Sequence, residues 1–364
     1  MKVPFRLAAA VLLLVVDAAH SATVERDVVY AQGAVNATSG PGTMDLLLDV
    51  YRPDNPADQT GSALVLVHGG GFTSGDRTSP DMVDAALAFA AAGWVCFSIE
   101  YRVAGDDPPA PAWVGGDVFA RAVHAAMVDT KRAVRWVRTH AAAYGVDPRR
   151  VAGLGHSAGA YCVIQACISD EEDFANDAGT PSPDQWPDWP GRLNAGVEAS
   201  GGTAMMNHEF SGDDAPLMIW HGTGDNTVFF EEALNVQSNC AAQAIPCRLF
   251  ALPGVDHGEA TWLAKYGGKD VKAHALEFLN LFFAARLEPQ RVGESFALAW
   301  ASISNAVYDV RSAAAPTGGF TNLAHGGITA TGDTCRVTVG LPPARVFYRL
   351  GVKSGQPATK TNDQ

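Results

Sequence analysis

A serine within a glycine-flanked pentapeptide is the first feature of the sequence that could do chemistry. Gly155-His156-Ser157-Ala158-Gly159 lies between a short apolar run that ends at Leu154 and a predicted helix from Ala158 to Ser169. A serine on such a tight strand-to-helix turn has strained backbone geometry, and its hydroxyl projects above the sheet. We therefore predict that Ser157 is a nucleophile, with a buried or helix-capping serine as the alternative.

A serine hydroxyl is a weak nucleophile until a base takes its proton, so a histidine held by a carboxylate is also needed. In a strand–elbow–helix arrangement the order along the chain is Ser, Asp, His. Asp225 lies in a glycine-containing loop after the predicted strand Leu217 to Trp220, and His257 follows the next predicted strand. We predict Asp225 as the acid and His257 as the base.

Four other residues compete for these two roles: Asp213, Asp214, Asp256 and His221. Asp213 and Asp214 precede the strand that Asp225 follows, so they should lie at its opposite end. Asp256 adjoins the histidine in sequence and would struggle to reach its ring. His221 comes before the acid in the chain, which is the wrong order for the base.

A glycine-rich segment after another predicted strand offers hydrogen-bond donors. His68-Gly69-Gly70-Gly71-Phe72 follows the apolar run Ala63 to Val67. Because side chains are missing there, backbone N–H groups can face a substrate carbonyl, and one such donor stabilises an oxyanion by about 3 kcal/mol. No Gly-Lys-Ser or Gly-Lys-Thr follows, and G-x-G-x-x-G spacing is absent, which argues against a phosphate or dinucleotide site.

The elements that must position these residues alternate along the chain. Ala63 to Val67 and Trp94 to Ile99 are short apolar runs, typical of strands buried on both faces. Asp81 to Ala92 and Val128 to Tyr144 have apolar residues at helical spacing. This alternation predicts an α/β fold with a mostly parallel sheet flanked by helices, and antiparallel strands are predicted before it, between Val24 and Pro53.

Taken together, the motifs resemble carboxylesterases of the α/β-hydrolase superfamily that carry an HGGG box, in the feruloyl-esterase-like and hormone-sensitive-lipase-like branches. The resemblance covers about Met44 to Phe283 and rests on Asp49-Val50-Tyr51-Arg52-Pro53, the box at His68, Glu100-Tyr101-Arg102, Asp129, the serine elbow, Asp225 and His257. It implies an α/β-hydrolase fold and oxyanion donors at the backbone N–H groups of Gly70, Gly71 and Ala158. It implies no metal and no organic cofactor.

One departure separates the two branches. Hormone-sensitive-lipase-like members usually have a helical cap before the HGGG strand, but only about 45 residues lie between the predicted export signal and His68. A full cap does not fit, so the feruloyl-esterase-like branch matches better.

The two ends of the chain differ from the middle. A basic start and a short apolar run from Leu7 to Val16 predict a signal peptide over residues 1–22, because a membrane anchor, the alternative, needs about 20 apolar residues. We therefore expect a secreted or periplasmic protein without stable membrane insertion. A catalytic domain is predicted over 23–289, a small all-β module resembling β-sandwich modules over 292–353, and a tail over 354–364. The module could contact carbohydrate or a cell surface, although core packing explains its aromatic residues equally well.

The net charge and the cysteine spacing bear on whether the protein binds nucleic acid, forms a disulfide or holds zinc. The formal net charge is −13, and Lys and Arg form no cluster, so nucleic acid is not an expected partner. Six cysteines are present, and export would permit disulfides. We predict a bridge between Cys240 and Cys247, with two free thiols as the alternative. No paired Cys-x-x-Cys spacing points to zinc.

The segment Asp170 to Arg192 is a long, acidic loop, and such loops are often functional. Trp186 or Trp189 could stack on a substrate ring, and Met205 could line an apolar pocket; alternatively, the tryptophans pin the loop to the fold.

The leading hypothesis is hydrolysis of a small-molecule or polysaccharide-linked carboxylic ester through an acyl-serine, with acetyl or feruloyl esters as candidate substrates. A serine exopeptidase of the same fold and a non-catalytic carbohydrate-binding or adhesion protein are the alternatives.

Overall fold

The structure is a computed structural model that describes residues 22–174, 186, 188–203 and 209–283, and six later strands between residues 288 and 353. The predicted tail, and the predicted signal peptide apart from its last residue, lie outside the described residues. Within the described part, no helix is both long enough and apolar enough to cross a bilayer.

An eight-stranded sheet forms the centre of the fold, in the order β1-β2-β4-β3-β5-β6-β7-β8. The strands are β1 (Ala22–Val35), β2 (Gly42–Pro53), β3 (Ala63–Val67), β4 (Val95–Ile99), β5 (Val151–His156), β6 (Ala195–Ala199), β7 (Leu217–Gly222) and β8 (Cys247–Leu252). β1 and β2 form an antiparallel pair, β2 joins β4 antiparallel, and the pairs from β4 through β8 are parallel. The predicted mostly parallel sheet is therefore confirmed.

Seven α-helices accompany the sheet in the described part of the chain: α1 (Pro80–Ala91), α2 (Val118–Thr139), α3 (Ala141–Tyr144), α4 (Ala158–Ile168), α5 (Phe230–Ala242), α6 (Glu259–Leu263) and α7 (Val271–Phe283). Helix α2 begins at Val118, well before the predicted start at Val128. The Asp117 carboxylate caps it by accepting a hydrogen bond from the N–H of Ala120 at 2.9 Å. Exposed Val118 and Phe119 in its first turn break the apolar pattern, so periodicity missed this turn.

Two hydrophobic clusters lie on opposite faces of the sheet. One contains buried residues of α2, α4 and α5, and the other contains buried residues of α1 and α7. Strand β3 sends Val65 into the first cluster and Leu66 into the second, so every residue of the strand is buried. This two-sided burial explains why the central strands are continuous apolar runs and do not alternate.

Six strands follow the last helix: β9 (Glu288–Val292), β10 (Ser295–Ala301), β11 (Val307–Ala313), β12 (Asn322–Thr329), β13 (Thr334–Gly340) and β14 (Phe347–Lys353). They form two three-stranded sheets, ordered β13-β10-β9 and β12-β11-β14, with antiparallel neighbours. Strands were predicted in this region, but its division from the catalytic domain as an independent module stays a prediction.

The predicted bridge between Cys240 and Cys247 is not formed. Both residues are free thiols, and they lie side by side, because the Cys247 thiol makes a hydrogen bond with Cys240. That hydrogen bond and burial raise the pKa of Cys247 well above its usual value. The sequence correctly predicted that Cys240 and Cys247 lie close together, but the structure shows two free thiols, which was the alternative to a disulfide.

Candidate active site

Ser157 lies on the sharp turn between β5 and α4. Its backbone has φ 53° and ψ −119°, a combination that a non-glycine residue adopts only under strain. The flanking glycines make the turn possible: a Cβ on Gly155 would lie 2.2 Å from the carbonyl oxygen of Gly159, and a Cβ on Gly159 would lie 1.9 Å from that of Val67. The glycines of the motif are therefore required by close packing of the turn.

A chain of hydrogen bonds joins Ser157 to a histidine and an aspartate. His257 Nε2 lies 2.9 Å from Ser157 Oγ, and His257 Nδ1 lies 2.7 Å from Asp225 Oδ2. An ionised carboxylate only accepts hydrogen bonds, so Nδ1 carries the proton and Nε2 accepts from the serine hydroxyl. This arrangement can remove the serine proton when Oγ attacks.

The Asp225 carboxylate is held in its ionised form. Burial opposes its charge, but hydrogen bonds from His257 and from the backbone N–H groups of Thr227 and Val228 outweigh burial, and the pKa of Asp225 is lowered. The two N–H groups donate to Oδ1 at 2.9 and 2.8 Å, which leaves Oδ2 for the histidine. The loop after β7 therefore fixes both the charge and the orientation of this side chain.

The competing residues have other partners. Asp256 accepts from the backbone N–H groups of Asn226 at 3.0 Å and of His257 at 2.8 Å, so it shapes the loop. Asp214 pairs with Arg192 at 2.6 Å. His221 is buried, and its Nε2 donates to the Val228 carbonyl at 2.9 Å. The same nitrogen lies 3.4 Å from Asp225 Oδ2, so His221 packs beside the predicted acid but makes its shorter hydrogen bond elsewhere.

The glycine-rich segment lies against the elbow. A Cβ on Gly69 would lie 3.3 Å from the Ser157 Cβ, and Gly70 and Gly71 both have positive φ. The Gly70 carbonyl accepts from two N–H groups of the following turn, at 3.1 Å each, so the peptide turns its other face, with the N–H of Gly71, away from that turn. Ala158 begins α4, where backbone N–H groups lack helical partners.

Tyr101 supports this segment from below. Its hydroxyl donates to the backbone carbonyl of His68 at 3.0 Å. The phenol ring of Tyr101 also stacks on the imidazole ring of His68, with centroids 4.1 Å apart. The box therefore rests on a residue from the carboxyl end of the neighbouring strand β4. The sequence pointed to Tyr101 only as part of Glu100-Tyr101-Arg102.

Comparison with known proteins agrees with this geometry. A family model described as BD-FAE matches residues 48–210. Esterase LipQ of Mycobacterium tuberculosis is 33% identical over 141 residues, which are 38% of this chain and 30% of LipQ. The probable carboxylic ester hydrolase LipM of the same organism is 33% identical over 125 residues, 34% of this chain and 25% of LipM. The chain thus spans less than a third of the length of these curated relatives.

Solved esterase structures are similar to this chain over about three quarters of its length. Esterase 2 of Thermogutta terrifontis, phosphorylated by paraoxon, has a TM-score of 0.55 and 26% identity, covering 73% of this chain and 96% of that chain. The chain has the α/β-hydrolase fold of these esterases. A butyrate-bound structure of the same Thermogutta esterase has a TM-score of 0.53 and 25% identity, with 71% and 93% covered.

Trp186 has two partners within the described part of the protein. Its Nε1 donates to the Tyr30 carbonyl at 3.1 Å, and its ring meets His140 edge-on at 4.9 Å. His140 caps the end of α2, where Arg138 donates to the carbonyl of Pro148 just before β5, at the amino edge of the sheet. These contacts pin the loop of Trp186 to the fold, as the alternative interpretation expected, and its stacking on a substrate stays a prediction.

The other predicted substrate contacts are less informative. Trp189 is half-buried, and Met205 lies outside the described residues. Within the described residues, no group of three or more His, Cys, Asp or Glu side chains is arranged to hold a metal ion.

Sequence reasoning missed an acid–histidine pair beside the hydrogen-bonded chain of Ser157, His257 and Asp225. His156 Nδ1 lies 2.7 Å from Asp81 Oδ2 at the start of α1, and the His156 ring stacks near His257 with centroids 5.9 Å apart. This contact ties the elbow to the first turn of α1. No spacing rule connects residues so far apart in the chain, so the sequence held no signal for this pair.

Sequence reasoning also missed an aromatic cluster next to the glycine-rich segment. Phe72, which follows Gly71, meets Tyr161 edge-on at 6.4 Å and Phe119 edge-on at 6.0 Å. The position of Tyr161, one helical turn after Ser157, was the signal that could have found it.

Proposed function

We propose that the protein is an exported carboxylesterase that hydrolyses esters through an acyl-serine intermediate on Ser157. The observation that carries the proposal is the unbroken chain from Ser157 Oγ through His257 to Asp225, with hydrogen bonds of 2.9 and 2.7 Å. Named esterases among the relatives and structural neighbours support the same reaction class.

The reaction proceeds in two halves. Ser157 Oγ attacks the ester carbonyl carbon while His257 Nε2 takes the hydroxyl proton, and the carbonyl oxygen becomes an oxyanion that accepts from the N–H groups of Gly70, Gly71 and Ala158. His257 then gives its proton to the departing alcohol. Water then attacks the acyl-serine while His257 takes a water proton. The bond to Ser157 Oγ breaks, His257 returns the proton to that oxygen, and the carboxylic acid is released.

The direct test is hydrolysis of p-nitrophenyl butyrate by the wild type and by Ser157→Ala. We expect the variant to lose about 10⁴-fold or more of kcat/KM with an unchanged unfolding midpoint. Exposed Ser39 provides the matched control, since Ser39→Ala should keep full activity. Turnover by Ser157→Ala at the wild-type rate contradicts the assignment.

A covalent probe gives a second readout. The Thermogutta esterase 2 has been described phosphorylated by paraoxon, and the same reagent should add one phosphoryl group to this protein. Intact-mass analysis should show the adduct in the wild type and in Ser39→Ala, but not in Ser157→Ala.

The proposal also covers the natural substrate, the export of the protein and a role for the C-terminal strands in carbohydrate contact. Acetyl and feruloyl esters of plant polysaccharides are the proposed substrates, on the resemblance of the sequence motifs to the feruloyl-esterase-like branch. Export is supported by the basic and apolar start of the sequence, and N-terminal sequencing of the mature protein should find a start near Ala22. Contact of the C-terminal strands with carbohydrate is checked by a pull-down with insoluble xylan or cellulose.

A further inference from the structure

His221 is a buried histidine that lies beside the predicted acid and that the proposed ester hydrolysis does not use. It belongs to β7, the strand that leads directly into the loop of Asp225, and its side chain is fully buried. Its Nε2 lies 2.9 Å from the backbone carbonyl oxygen of Val228. Because no part of the side chain is exposed, His221 cannot touch a substrate, and any effect on the reaction must pass through its neighbours.

The surroundings of the ring decide which of its nitrogens carries the proton. Burial lowers the pKa of His221 and outweighs the opposing effect of the hydrogen bond to Val228, so the ring is neutral at pH 7 and has one N–H. The two oxygens near Nε2 are the Val228 carbonyl and the Asp225 carboxylate, and both only accept hydrogen bonds. The proton is therefore on Nε2, and Nδ1 is a bare acceptor that has no partner within the described part of the chain.

The carbonyl that accepts from His221 belongs to a residue that holds the acid. The backbone N–H of Val228 donates to Asp225 Oδ1 at 2.8 Å, and the N–H of Thr227 donates to the same oxygen at 2.9 Å. Val228 is thus fixed on both sides, through its carbonyl by the sheet and through its N–H by the carboxylate. This arrangement leaves Asp225 Oδ2 directed at His257 Nδ1, at 2.7 Å.

His221 acts on the carboxylate through this loop, since its direct contact is weak. Its Nε2 lies 3.4 Å from Asp225 Oδ2, which is longer than an ordinary N–H···O hydrogen bond and longer than its 2.9 Å contact with Val228. The ring of Phe230, the first residue of α5, meets the His221 ring edge-on with centroids 5.9 Å apart. This packing keeps the ring oriented towards the carbonyl.

The second anchor of the same loop is of a different kind. The Asp256 carboxylate accepts from the backbone N–H of Asn226 at 3.0 Å and from that of His257 at 2.8 Å. Asp256 is exposed and precedes the base directly, so it joins two loops to each other. His221 instead ties the loop of the acid to β7, which is paired with strands on both sides.

We propose that His221 is a positioning residue for ester hydrolysis: it ties the Asp225 loop to β7 and so keeps Asp225 Oδ2 directed at His257 Nδ1. This inference rests on the proposed function and adds a residue to the site. It assigns His221 no contact with the substrate and no proton transfer.

The kinetic test compares two amide side chains at this position, with p-nitrophenyl butyrate as the substrate. In His221→Gln the amide can place an N–H where Nε2 now lies, whereas the amide of His221→Asn is one methylene shorter and does not reach Val228. We expect His221→Asn to lower kcat about 10-fold or more with KM within about twofold, because small misplacements of catalytic groups have effects of this size. His221→Gln should keep kcat within about threefold of the wild type. An equal loss of kcat in the two variants, or no loss in His221→Asn, overturns the inference.

His274 provides the matched control. It is also buried, and its Nε2 lies 2.9 Å from the backbone carbonyl oxygen of Tyr266. His274→Asn therefore removes the same kind of hydrogen bond from a part of the protein outside the Asp225 loop, and it should keep the wild-type kcat. A fall in kcat as large as that of His221→Asn would mean that both variants only disturb packing, which contradicts a positioning role.

NMR gives a readout that does not depend on turnover. Spectra of the ¹⁵N-labelled wild type at pH 7 should show His221 protonated on Nε2, and a proton on Nδ1 overturns the inference even if every His221 variant fails to fold. The far-downfield proton resonance of His257 Nδ1–H, assigned by its loss in Asp225→Asn, should be present in His221→Gln and absent in His221→Asn. Its presence at the wild-type position in His221→Asn also overturns the inference. A wild type without esterase activity contradicts the proposed function, and these resonances still decide whether His221 holds Asp225 in place.

Discussion

Replacing Glu198 by glutamine should change how stability depends on pH. Glu198 lies on β6 and is fully buried; its Oε2 accepts from the Gly201 N–H at 2.8 Å, and its Oε1 has no partner among the described residues. Burial is the main reason that the pKa of Glu198 rises to about 8, and the charges of Asp225 and Glu232 add to it, against the lowering effect of Gly201. The side chain is therefore a neutral acid at pH 7 in the folded protein.

The sign and size of the effect follow from this raised pKa. Below an unfolded-state pKa of 4.5, both states hold the proton, so Glu198 adds no pH dependence there. Between 4.5 and about 8 the unfolded chain loses the proton while the folded protein keeps it, so stability falls as pH rises. At 1.36 kcal/mol per unit, the loss reaches about 5 kcal/mol above the folded-state pKa.

Glu198→Gln removes this dependence, because an amide does not titrate in that range. We expect the free energy of unfolding of the variant to lie within about 1 kcal/mol of the wild type at low pH. Near pH 9 the variant should be more stable by several kcal/mol, at most about 5. Urea unfolding at several pH values between these limits measures the difference directly.

The exposed Glu231 on α5 provides the control, since Glu231→Gln should leave the pH dependence of stability unchanged. Parallel curves of unfolding free energy against pH for the wild type and Glu198→Gln would refute the reasoning. That result would mean that Glu198 is ionised in the folded protein.

Three further substitutions test the structure. Gly159→Ala places a Cβ 1.9 Å from a carbonyl oxygen of β3, so we expect a destabilisation of about 3 kcal/mol or more; an unchanged melting midpoint contradicts it. Asp129→Asn breaks a fully buried pair with Arg102, joined at 2.7 and 2.8 Å, and should cost about 3 to 5 kcal/mol in urea unfolding; a loss below about 1 kcal/mol contradicts it. Asp225→Asn should lower kcat about 10⁴-fold with the fold intact, because the His257 ring loses its charged partner at 2.7 Å; less than a tenfold fall disproves the assigned role.

The sequence was most informative where the chemistry depends on a local turn. The glycines around Ser157 are required by contacts within a few residues, so the pentapeptide and its flanking strand and helix predicted the elbow. Asp225 and His257 could be predicted because each follows a parallel strand, and the carboxyl ends of parallel strands meet at one edge. Regular elements with buried faces also leave a clear pattern, as β3 does.

Only the tertiary structure decided which side chains surround that edge. The composition of the loop around Trp186 suggested a substrate contact, and only the structure shows that its ring packs against His140. Tyr161 and Glu232 are distant in sequence, and both lie against Gly202, three residues after the end of β6. Contacts between elements depend on helix placement and loop paths, which leave no periodic signal, whereas strand order and turn chemistry do.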